Sequence, residues 1–149
     1  MRTIASRVLS LRACVVLAVC ILAGCASSPK MMEDRNGNVH LGVYADTYNF
    51  SAQMTRVQVE FDGVQAVNKA FGTTSAGHRD SHYQFFLQPG THTIRAWANK
   101  GGAEATQTFE LKERVFIAVQ FQPKTAPGGG GIKIKTSPNP IHVQPGQSL

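Results

Sequence analysis

The chain has 149 residues, with 15 Lys and Arg against 9 Asp and Glu, enough for one domain with tails and too few for two cores. Its formal charge of +6 falls to +3 once Arg2, Arg7 and Arg12 are set aside as part of an N-terminal export segment, leaving 12 basic residues against 9 acidic ones. The rest are scattered along the chain, closest at Lys112 and Arg114 and at Lys133 and Lys135, with no basic run interleaved with aromatics, so nucleic acid is not the expected partner.

Residues 1–12 carry three arginines and no acid, and residues 13–24 form a 12-residue apolar run, ACVVLAVCILAG. A charged start followed by an apolar run too short for a comfortable membrane span reads as a signal peptide, residues 1–24. Leu22-Ala23-Gly24-Cys25 resembles the lipobox of bacterial lipoproteins. There the small residues 23 and 24 admit the extended chain to the signal peptidase. The Cys25 thiol takes a diacylglycerol group as a thioether, and cleavage frees its amine for a further acyl chain of the palmitate type. An ordinary secretory signal with a chance cysteine, or an uncleaved anchor, is the competing reading. One acyl chain holds a protein only marginally and two or three hold it firmly, at about 0.8 kcal/mol per buried methylene. Ala26, rather than Asp, follows the cysteine, which by the same resemblance implies sorting to the outer membrane, facing the periplasm. Cys14 and Cys20 leave with the signal, so no thiol remains for a disulfide, a zinc–thiolate site or a cysteine nucleophile.

Residues 25–38 read as a lipidated tether, polar from Ala26 and bounded by Ser-Ser-Pro and Asn-Gly-Asn. From Val39 to Gln122 the pattern is β. In Thr55–Asp62, Val57, Val59 and Phe61 alternate with Arg56, Gln58 and Glu60, the period of a half-buried strand. Asp62-Gly63 then supplies a tight turn. Val64–Phe71 reads either as a strand carrying a bulge or as a single helical turn. Residues 72–80 are a loop by composition. Ser81–Leu87 is a strand with Tyr83, Phe85 and Leu87 on one face, and Pro89-Gly90 suits a type II turn. Thr91–Ala98 and Ala103–Leu111 follow as strands around an Asn99–Gly102 turn. Val115, Ile117, Val119 and Phe121 form the clearest inward row. Short strands at this spacing predict a sandwich or barrel for residues 39–122, with a meander from Ser81 to Gln122. Residues 123–149 hold five of the seven prolines and a Gly128–Gly131 run, and read as a mostly disordered tail. Ile132 and Ile134 are a thin basis for an edge strand.

Three segments carry a family resemblance: Phe61-Asp62-Gly63 at a strand end, Leu87-Gln88-Pro89-Gly90-Thr91-His92-Thr93-Ile94 turning into a strand, and residues 116–121 closing the domain. Their order over about 65 residues, Val57 to Phe121, resembles the PEGA-type and related small β-domains of bacterial envelope lipoproteins. The resemblance implies an all-β, immunoglobulin-like or transthyretin-like antiparallel β-sandwich. It further implies a non-catalytic surface or assembly module, with no catalytic residue carried over.

The residues themselves offer little for catalysis. Ser75 and Ser81 lie near His78 and His82 without a Gly-x-Ser-x-Gly frame, paired carboxylates are missing, and the glycine run lacks the Lys-Ser/Thr of a phosphate loop. The expectation is therefore a non-enzyme without a cofactor. Outward strand positions bring more: Phe86, Trp97 and Phe116 fall opposite in phase to the core row, with Arg95 beside Trp97. Aromatic residues next to an arginine have the composition of an interface anchor, so these four are the candidate partner-binding patch for an envelope protein. Cover over this face from Val39–Tyr44, Val64–Phe71 or the tail is the competing expectation. A metal or small ligand held by His78, His82 and His92 is the alternative function, though four-residue spacing on a loop entering a strand guarantees no convergence.

Overall fold

The computed structural model describes residues 31–46, 54–72, 78–99, 102–123, 130–144 and 147–149. The signal segment, Leu22, Ala23, Gly24 and Cys25 lie outside the described residues. Eight strands follow in order: β1 (Val39–Asp46), β2 (Thr55–Phe61), β3 (Val64–Phe71), β4 (His78–Phe85), β5 (Gly90–Ala98), β6 (Glu104–Leu111), β7 (Val115–Gln122) and β8 (Gly131–Ser137). Among the described residues there is no helix.

The strands form two four-stranded sheets: sheet I in the order β3-β2-β5-β6 and sheet II in the order β4-β1-β7-β8. Every neighbouring pair is antiparallel except β1 and β7, which run parallel with Val39 opposite Val115 and Ala45 opposite Phe121. The meander expected from Ser81 to Gln122 is corrected: β4 and β7 belong to sheet II, while β5 and β6 between them belong to sheet I. The Pro89-Gly90 step is accordingly a crossing between sheets, with Gly90 at φ 145°. Alternation identifies which side of a strand is apolar but not which strand it pairs with.

Local chemistry explains the hairpin β2–β3. Asp62 and Gly63 both take left-handed conformations, φ 51° and 79°, as a two-residue type I′ turn requires. Val59 pairs with Val67 while Glu60 pairs with Gln65, so Ala66 is the extra residue of a bulge. The bulge buries Ala66 and Val67 side by side, which is why Val64–Phe71 breaks alternation yet remains a strand.

The core lies between the sheets. Val57, Val59, Phe61, Ile94 and Leu111 from sheet I meet Leu41, Val43, Phe85, Ile117 and Val119 from sheet II. Phe61 is the central contact: its ring sits edge-on to Phe85 across the sandwich, 6.0 Å between centroids, and to Phe109 beside it, 6.2 Å.

Both terminal segments join this core. The Met31 amide donates to the Gln65 carbonyl on β3, and the Asp34 amide donates to the Gln84 carbonyl on β4. Residues 31–38, expected as part of a free tether, therefore bridge the edges of the two sheets. Gly37 makes this possible, because a β-carbon there would lie 2.6 Å from the Phe85 backbone nitrogen. Asn38 extends the join: its side chain donates to the Leu87 carbonyl at 2.8 Å and accepts from the Leu87 amide at 3.0 Å.

The reading of residues 123–149 as a mostly disordered tail is likewise corrected where the segment is described. β8 pairs with β7 along its whole length, placing Ile132 in the core. Residues 138–144 and 147–149 then return across the outer face of sheet II. β1 and β7 consequently bury both faces, down to Ala118, Gln120 and Gln122. Two isoleucines suffice because the strand completes a hydrogen-bonding edge that β7 would otherwise leave open.

Truncating Phe61 removes the ring that joins the two sheets and leaves a cavity. Phe61→Ala is expected to lower unfolding free energy by about 3–5 kcal/mol in chemical denaturation, whereas Thr108→Ala on the exposed face of β6 should change it by less than about 0.5 kcal/mol.

Candidate functional site

The two sheets present different outer faces, and the residues singled out in the sequence divide between them. On sheet I, Arg95 and Trp97 project together from β5. The Arg95 guanidinium lies 5.0 Å from the Trp97 ring centroid, donates to Glu104 on β6 at 2.8 Å, and stands 3.9 Å from Glu60 on β2. All these side chains are accessible, so the ion pairs add little stability; their effect is to hold the guanidinium over the indole. Phe116 lies instead on the outer face of sheet II, stacked on His40 at 4.7 Å and covered by the returning segment. A sandwich thickness, about 10 Å between sheets, separates it from Trp97. Phe86 follows β4 at the end of the sandwich and is 53% exposed. The expected four-residue patch is thus reduced to Arg95 and Trp97. Phase within a strand places Phe116 outward correctly, but two sheets have two outward directions.

The histidines do not converge either. His82 faces outward from sheet II, edge-on to Tyr44 at 5.7 Å and 3.8 Å from Asp80. His92 belongs to sheet I, where Nδ1 meets Asp62 Oδ2 at 2.6 Å and Nε2 meets the Gln88 carbonyl at 2.7 Å. Both partners are acceptors, so the ring is satisfied by donating from both nitrogens as the imidazolium, and no lone pair is left for a metal. The His78 side chain lies outside the described residues. Among the described residues no three His, Cys, Asp or Glu side chains are grouped to hold a metal ion.

The Asp62–His92 pair is a lashing point. Asp62 also accepts from the Thr93 amide at 2.8 Å, so the β2–β3 turn, the start of β5 and the crossing segment at Gln88 are bound together. Burial lowers the His92 pKa, but the bonds to Asp62 and Gln88 outweigh it and the net value is above the usual 6.5. Burial raises the Asp62 pKa, but the Thr93 amide and His92 outweigh it and the net value is below the usual 3.8. A turn alone accounts for Asp62 in the sequence; its carboxylate has this second task.

A groove of about 420 Å³ opens between sheet II and the returning segment. His40, Tyr44, His82 and Phe116 form its floor, and Ile141 and His142 one wall. Tyr44 folds across Gly42, where a β-carbon would fall 2.7 Å from the ring. Burial, with Arg114 nearby, lowers the His40 pKa; burial, with Asp80 nearby, raises that of Tyr44. Both side chains are therefore neutral near pH 7. His40 Nε2 is buried without a hydrogen-bond partner. Such a lining offers stacking and hydrogen bonding rather than an activated nucleophile. Sequence reasoning missed this groove because its roof is the segment read as a tail.

Gln120 fastens that roof. Its amide donates to the Gln147 carbonyl at 2.6 Å and to Asp46 at 3.2 Å, and its carbonyl accepts from the Leu149 amide at 2.8 Å. Ser148 bonds to Gln122 and Lys133 beside it. The sequence signal for a cover is the apolar outward phase at Phe116 and Ala118 of the same strand, where a half-exposed strand would carry polar residues.

No protein-family model, curated protein or solved structure matches the chain.

Two outcomes are expected from these contacts. His92, with its raised pKa, contributes stability that is complete below its usual 6.5 and is lost as pH rises through the raised value. Asp62 contributes stability that is present above its usual 3.8 and is lost as pH falls through the depressed value. Urea titrations from roughly pH 5 to pH 9 should therefore show wild type falling toward the His92→Gln variant as pH rises. Gln120→Leu removes the bonds to Gln147 and Leu149 while leaving Ser148 bonded to Gln122 and Lys133, and amide exchange at Gln147 and Leu149 should accelerate while that of β2 stays unchanged.

Proposed function

We propose that the chain is a non-enzymatic lipoprotein of the bacterial envelope, anchored through acyl chains on Cys25 and presenting its β-sandwich as a protein-binding module. The observation that carries this reading is the joint occurrence of the arginine-bearing start, the 12-residue apolar run and Leu22-Ala23-Gly24-Cys25 in the right order. The resemblance to PEGA-type envelope domains and Ala26 after the cysteine support a place on the outer membrane, facing the periplasm.

The module's contact surface is the outer face of sheet I around Arg95 and Trp97. An indole already backed by an oriented guanidinium gives a partner a large apolar contact at little cost in side-chain entropy. Glu60 and Glu104 fix the guanidinium at the rim, which sets the orientation of an approaching surface more than its affinity. The sandwich is two-layered with a continuous core, so this face is held on a rigid support and recognition needs no rearrangement of the strands.

A photo-reactive amino acid at Trp97 in cells tests the reading, with Lys135 on the exposed part of sheet II as the comparison site. A discrete adduct with one envelope protein from position 97 alone, weakened by Arg95→Ala, is the expected result. Equal labelling from both positions, or none from position 97, contradicts an Arg95–Trp97 contact surface.

A further inference from the structure

We infer that the side of the sandwich formed by residues 31–37 and the adjoining ends of β3 and β4 rests on the phospholipid surface, with Met32 and Phe86 as its apolar contacts; this rests on acylation of Cys25. Covalent geometry sets the first limit. Five residues separate Cys25 from Met31, and the six fully extended steps from one to the other span at most about 22 Å. Met31 is not free to follow the lipid: its amide is bonded to Gln65 on β3, and the Asp34 amide is bonded to Gln84 on β4. The anchor therefore holds one particular side of the domain near the bilayer.

The surface there is independently suited to lipid. Among the described residues the large hydrophobic side chains most exposed are Met32 at 85%, Met54 at 61% and Phe86 at 53%. Met32 lines a cleft with Tyr83 and Phe85, and Phe86 is the next residue in the chain. Gly37 packs on the Phe85 backbone, which keeps the N-terminal segment and Phe86 at one corner. The charges of the segment itself balance: Glu33 and Asp34 stand against Lys30 and Arg35. The contact is thus apolar, and neither anionic lipid nor low salt should be needed for it. In this orientation β6, at the far edge of sheet I from β3, points away from the membrane.

Site-specific fluorescence tests this. Once Cys25 is acylated the processed chain has no free thiol, so Met32→Cys, Phe86→Cys and Thr108→Cys can each be labelled singly with an environment-sensitive dye. Full-length protein purified from membranes is reconstituted in phosphatidylcholine vesicles with and without brominated acyl chains, and its intact mass reports acylation. Blue-shifted emission quenched by bromine at positions 32 and 86, absent at 108 and unchanged by added salt, is the expected result. Acylated protein with positions 32 and 86 as unquenched as 108 overturns the inference alone. Unacylated Cys25 overturns the anchoring and the inference together.

Discussion

The parallel pairing of β1 with β7 at the centre of sheet II is the constraint on which the rest of the structure depends. Both strands bury both faces, so each face needs a cover. Sheet I supplies one through Phe61, Ile94 and Leu111. The returning C-terminal segment supplies the other, with the Tyr44 ring lying over Gly42 beneath it. A strand buried on both sides still has polar side chains to satisfy. Gln120 and Gln122 meet that requirement by bonding Asp46 and the segment that hides them. Cover and covered strand thus specify one another.

The same constraint bears on the proposed function. β1 follows directly on the docked residues 31–38, so the strand at the centre of the sheet is also the strand nearest the proposed lipid anchor. Its neighbour β4 carries Phe85 into the core, and Phe86, the residue after it, is exposed. The outer face of sheet I, by contrast, has no covering segment among the described residues, and it is the face that carries Arg95 and Trp97. Among the described residues one sheet is closed by the chain itself while the other is not, and the proposed partner-binding role uses that uncovered face.

Much of this architecture is legible in the sequence at the level of single strands. Val57, Val59 and Phe61, and again Val115, Ile117, Val119 and Phe121, announce their buried faces by period-two alternation, and Asp62-Gly63 announces its turn. What is not legible depends on distant pairing. Nothing local to Ser81–Leu87 says that it joins β1 rather than β5. Phe116 and Trp97 share an outward phase but not a sheet. The tail reads as disordered because its own apolar content is small; it is ordered by Gln120, Gln122 and the open edge of β7, partners that composition cannot weigh. His92 is the inverse case, a plausible metal ligand in the sequence whose two nitrogens are both committed to Asp62 and Gln88 in the fold.

The central claim is that Cys25 is the lipid attachment point from which the sandwich is presented. Metabolic labelling with a clickable fatty acid, comparing wild type with Cys25→Ala, tests it most directly. The account predicts label in the wild-type chain, a product shortened by the 24-residue signal, and neither in the variant. An unlabelled wild-type chain, or equal labelling of the variant, would contradict it.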